Sequence, residues 1–131
     1  MNRFTKEQLI EKAKGMNLVL VTQSASEPNE LIERIEKLSA LISESGECLA
    51  DAKFIQDSLI HSEIMKVVIT GYVDKLSTMT LNQFIKALTK EENFLVNSFD
   101  RINSAAVHQL DGCRSILSYR KTEFATLSYQ R

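Results

Sequence analysis

Leu31–Leu59, LIERIEKLSALISESGECLADAKFIQDSL, is the stretch whose reading decides the fold. Its apolar residues Leu31, Ile35, Leu38, Ile42, Leu49, Ala52, Ile55 and Leu59 stand at helical spacing. A helix turns once in about 3.6 residues, so these side chains share one face. A second stretch, Leu95–Leu127, repeats the pattern with Leu95, Phe99, Ile102, Ala106, Leu110, Cys113, Leu117, Phe124 and Leu127. Two long amphipathic helices must bury those faces against each other or against a second copy. The prediction is an all-α fold: an antiparallel hairpin of two long helices with short N-terminal and connecting helices, forming a helical bundle completed by oligomerisation.

The totals agree with one ordinary globular domain. The chain has 131 residues, 44% apolar and 25% charged, a size that builds a core without metal or disulfide staples. One proline and four glycines leave few interruptions, which favours long helices over a many-turned β fold. The net charge of −1 gives no global attraction to nucleic acid or anionic membrane. Charge is uneven, however. Between Glu27 and Glu63 nine acids face only Arg34, Lys37 and Lys53, an acidic stretch suited to steering a basic partner.

The start of the chain, MNRFTKE, has no apolar h-region, and no run of 18 apolar residues follows anywhere. No membrane association is expected, and the two cysteines, Cys48 and Cys113, read as reduced thiols of a cytoplasmic protein.

Thr5 and Gln8 make a capping box ahead of Leu9, Ile10 and Ala13, and Gly15 is placed to end that short helix. The β-branched run Met16–Thr22 then predicts an extended connector packed on the helices, or a strand paired with its copy in a dimer. Residues 1–26 thus read as a short helix plus connector, and 27–131 as the hairpin. Ser26-Glu27-Pro28 starts the first long helix, in which Gly46 costs about 1 kcal/mol relative to alanine and permits a kink. Ser77–Thr80 reads as a turn. Thr80 with Gln83 and Thr89 with Glu92 are two further capping boxes, the first opening a short helix over Leu81–Leu88. With the hairpin closed between residues 72 and 88, facing positions sum to about 160. That register sets Cys48 opposite Cys113, and Phe54 opposite Ala106.

Chemistry-bearing constellations are weak. His61 has Asp57 one turn before it, and His108 has Asp111 three residues after it. A carboxylate-bridged metal pair in a bundle needs Glu-x-x-His twice with two further glutamates, and neither pair fits. Cys48 and Cys113 have no base at nucleophile spacing, and no phosphate loop, nucleophile elbow, dinucleotide fingerprint or C-x-x-C occurs. No cofactor, metal or catalytic residue is predicted. Arg114, Tyr119, Arg120, Lys121 and Arg131 mix cations with aromatic faces and form the candidate nucleic-acid contact.

The acidic amphipathic helix from Glu30, the threonine-rich turn Ser77–Thr80 and the tail His108-Gln109-Leu110 with Ser115–Glu123 resemble small all-α accessory proteins of phages, prophages and mobile elements. The resemblance covers about residues 30–125 and implies a non-enzymatic accessory protein acting on a bacterial partner. The chain then reads as a protein-interaction module that binds itself and another protein. Apolar residues outside the intrachain seam, Phe4, Met16, Leu18, Leu20, Met65 and Met79, are the candidates for contact. The alternative is a nucleic-acid-binding accessory protein using the basic tail.

Overall fold

The computed structural model describes residues 3–22, 27–71 and 77–129. Among these residues four helices follow in order: α1 (Lys6–Val21), α2 (Pro28–Thr70), α3 (Thr78–Leu88) and α4 (Lys90–Tyr129). No strand occurs among the described residues. The all-α hairpin predicted from the two seams is present, with α2 and α4 packed together and α1 against both.

Three polar pairs fix how α2 and α4 meet: Arg34 with Gln109, Ser45 with Asn103, and Gln56 with Asn93. One number rises as the other falls, so the helices are antiparallel. Facing positions sum to between about 143 and 149, not 160. The expected opposition of Cys48 and Cys113 is therefore corrected: Cys48 lies level with Phe99, and both are wholly buried. Phe54 does not fill space beside Ala106 either. It is about half exposed on the outer side of α2, with the Arg3 guanidinium 3.5 Å above its ring centre.

The N-terminal expectation is corrected more deeply. α1 does not end at Gly15 but continues to Val21, taking in the segment expected to be an extended connector. Leu9, Ala13 and Met16 are buried, and Leu20 packs beside them at the same helical interval. Burying such a stripe contributes about 1.5–3 kcal/mol per large side chain, which outweighs the β propensity of a few residues. α1 is thus part of the bundle, not an appendage to it. α1 runs antiparallel to α2, through Phe4–Asp51 and Lys12–Glu44, and parallel to α4, through Lys6–Glu92 and Leu20–Gln109. It covers the seam that two helices alone leave open. The core is one cluster drawn from all three helices, centred on Leu9, Leu38, Cys48 and Phe99.

Helix ends follow local chemistry. The Thr5 hydroxyl accepts the Gln8 N–H at 3.2 Å, and the Gln8 side chain accepts the Thr5 N–H at 2.8 Å, completing the predicted capping box. Pro28 occupies the first turn of α2, while Ser26 lies outside the described residues. α2 passes through Gly46 and ends at Gly71, whose left-handed φ of 76° lets its N–H reach the carbonyls of Val67 and Val68. α3 starts a turn earlier than expected, capped by Ser77, whose hydroxyl accepts the Thr80 N–H. Thr89 does not cap α4. It is buried, and its hydroxyl donates back to the Ile85 carbonyl at 2.8 Å, at the one-residue break between α3 and α4.

Candidate protein-interaction surfaces

The middle of the bundle is closed by polar nodes as well as apolar packing. Gln109 accepts from Arg34 at 2.7 Å and donates to the Leu20 carbonyl at 3.0 Å, tying α1, α2 and α4 at one level. At the other end of α1, Lys6 reaches both Glu91 and Glu92, and the Phe4 N–H donates to Asp51. Hydrogen bonds to both carboxylates raise the Lys6 pKa, and Lys6 in turn lowers that of Glu91. These contacts assign α1 to the scaffold. They also settle several candidate residues.

Met16 is 4% exposed and belongs to the core, so its place among the contact residues is corrected. Phe4 and Leu20 are half-buried against the core, Phe4 also lying under the Lys12 ammonium at 4.5 Å. Leu18, Met65 and Met79 are exposed, as expected of residues outside the seam. The exposed apolar residues that sequence reasoning missed lie elsewhere. α3 carries Met79, Leu81, Phe84, Ile85 and Leu88, four of them at i, i+3, i+4 and i+7, yet it buries no residue. Met79, Phe84 and Leu88 are 70%, 45% and 40% exposed. Met65 and Val68 near the end of α2 and Phe94 near the start of α4 are exposed at the same end of the hairpin. The spacing of Leu81–Leu88 holds that signal, but a short helix inside a hairpin turn reads as a connector.

The second surface lies at the opposite end. Pro28 is level with residue 117 in the observed register, so α4 continues past the start of α2. Every described side chain from Ser118 to Ser128 is exposed. Phe124 and Leu127, expected in the buried seam, are exposed because α2 has no residue level with them. An open groove of about 350 Å³ runs there, lined by Pro28, Ile32, Leu117, Arg120, Lys121, Phe124 and Ala125.

The basic-aromatic candidates share this tail without sharing a face. At about 100° per residue, Arg114 and Lys121 fall on one side, Tyr119 almost opposite them, and Arg120 between. Arg120 pairs with Glu123 at 3.5 Å. Arg131 lies outside the described residues.

Burial pushes the Cys48 thiol up to about 11, away from the range of a nucleophilic thiolate. His61 and His108 are exposed, and no three His, Cys, Asp or Glu side chains gather as metal ligands among the described residues. Another depression, about 370 Å³ beside Phe4, Glu7, Gln8, Glu11 and Lys12, is a shallow surface of α1. No described helix is long and apolar enough to cross a membrane.

The class that fold and surface define is an all-α bundle with a closed middle and apolar residues exposed at both ends. No protein-family model, curated protein or solved structure matches the chain.

Proposed function

We propose that the protein is a non-enzymatic protein-interaction module that binds a second copy of itself through the end of the hairpin bearing α3. One observation carries this reading: α3 is amphipathic and eleven residues long, and none of its residues is buried. An isolated helix of that length is marginal in water, so its stability depends on covering the apolar face. Exposed apolar groups gathered at one end of a bundle mark an association surface. Charge agrees. Within Thr78–Leu88 the only charged residue is Lys86, so two such faces meet with little repulsion.

The setting proposed is cytoplasmic, as an accessory protein of a phage, prophage or mobile element acting on a bacterial partner. That rests on the resemblance of residues 30–125, and the genes flanking its own test it. The nucleic-acid alternative rests on Arg114, Arg120, Lys121, Arg131 and Tyr119, and predicts binding that falls steeply with salt.

Sedimentation velocity tests the central reading. The wild-type chain is expected to run as a dimer or larger species at about 50 μM, and the Met79→Ser, Phe84→Ser, Leu88→Ser triple variant as a helical monomer, because a face of this size supports micromolar association. A monomeric wild-type chain overturns it.

A further inference from the structure

The tail of α4 keeps the bundle's seam running after its partner helix has ended. Leu117 and Phe124, two turns apart, stand on the side of α4 that packs on α2 higher up, and Leu127 lies one turn further on. Leu117 is half-buried, Phe124 is 74% exposed and Leu127 57%. The strip from Leu117 to Leu127 is about 15 Å long, or roughly three helical turns. Pro28 and Ile32 form one wall of the groove where it begins.

Charge frames this strip. At about 100° per residue, Arg120 lies on one flank of the Leu117–Phe124 line and Lys121 on the other. Both cations line the groove. Glu123, the one acid in the tail, meets Arg120 at 3.5 Å with both side chains 46% exposed, and Lys121 has no such neighbour on the tail. An apolar strip edged by a cation on each side complements an apolar stripe edged by acids.

We infer that the α4 tail is the docking site for an amphipathic helix of a different protein, three to four turns long, whose apolar stripe is flanked by acidic residues. Elements of a second copy fit worse. The apolar stripe of α2 is already buried against its own α4 and α1, and α3 brings Lys86 and no acid. A nucleic acid would use cations on one face with Tyr119 among them, whereas Tyr119 points away from Lys121. The inference rests on the interaction-module reading and adds to it a second end with a partner of stated chemistry.

Fluorescence anisotropy with two labelled eighteen-residue helical peptides tests this. One carries a leucine stripe flanked by glutamates; the other is identical with lysines. The full chain is expected to bind the glutamate peptide at least tenfold more tightly, and the affinity to fall as salt rises. Arg120→Glu with Lys121→Glu should reverse the preference, and Phe124→Ser should abolish binding, while circular dichroism stays unchanged because these side chains are exposed. The α3 triple variant should bind the glutamate peptide as wild type does. Equal affinity for both peptides, no binding, or a preference untouched by the charge reversal overturns the inference. So does competition from a short DNA or RNA duplex or from anionic vesicles that displaces the peptide from Arg120 and Lys121. Loss of peptide binding with α3-dependent dimerisation intact removes only this site and leaves the self-association reading standing.

Discussion

Asn103 donates to the hydroxyl of Ser45 at 2.9 Å, in a place where the Ser45 side chain is wholly buried. The same amide reaches the Ile42 carbonyl at 3.1 Å, and Ser45 donates to that carbonyl at 3.0 Å. Three polar groups inside an apolar seam thus satisfy one another across α2 and α4. Replacing Asn103 by alanine is expected to destabilise the fold by about 1–3 kcal/mol, the cost of leaving buried polar groups short of partners. A double-mutant cycle with Ser45→Ala, read by urea unfolding, should show coupling. Strict additivity would mean the two residues do not act as a unit.

α1 makes a contrast between near neighbours. Met16→Ala should cost about 2–5 kcal/mol, as expected for a buried methionine. Leu18→Ala, at a residue 68% exposed, should change stability by no more than about 0.5 kcal/mol. Gly15→Ala should stabilise by roughly 0.4–1 kcal/mol, since the helix continues through it and nothing lies within 4 Å of the added carbon. Thermal unfolding of the three variants decides whether residues 16–21 are helix or connector.

The two thiols should separate cleanly in a labelling experiment. Cys113 is half-buried and should react with a disulfide reagent in the native state, while Cys48 reacts only on unfolding. The buried thiol is held neutral, so its folded pKa, about 11, lies above the unfolded value. Its contribution to stability is full below the ordinary cysteine range and is lost as pH rises toward 11. Oxidation should form no intramolecular disulfide, because the register sets Cys48 level with Phe99.

Acid should loosen α1 at its start. Lys6 holds the Glu91 pKa below the ordinary carboxylate value, so this contact stabilises the fold above that value and is lost as pH falls through the lowered one. The Lys6 pKa is raised, so its share is full below the ordinary lysine value and disappears only as pH rises above it. Glu91 is largely exposed, which keeps the effect small. Hydrogen exchange of the first turns of α1 should therefore speed up between pH 5 and 3 relative to its intrinsic rate, about as much as in Lys6→Met at neutral pH.

The helices were legible because their apolar residues recur over many turns, and a period sustained that long has few alternative explanations. Register was not. The expected and observed sums differ by about 14, two heptads, and a slip of whole heptads keeps the same faces in contact. Leucines and isoleucines tolerate that slip. Ser45 with Asn103 and Arg34 with Gln109 do not, since each needs its partner at one level. Met16 was misplaced because β-branched neighbours suggested an extended chain, and only burial against α2 and α4 makes that segment a helix. Phe124 and Leu127 were read as buried for the related reason that spacing shows which side a residue faces but not whether anything stands opposite. The open surfaces follow from helix lengths and offsets, which periodicity does not encode.

The break at Thr89 decides how freely α3 can swing relative to α4. The Thr89 N–H donates to the Ile85 carbonyl, and the Asn93 N–H donates to the Thr89 carbonyl, so backbone hydrogen bonds continue on both sides of the joint. α3 is therefore mounted on α4 as a braced arm rather than tethered by a floppy strand. If α3 self-associates as proposed, an arm held in this way would lose little chain entropy on contact, and a modest apolar face would suffice. Inserting two glycines at Thr89 would leave every contact group in place and still weaken the encounter.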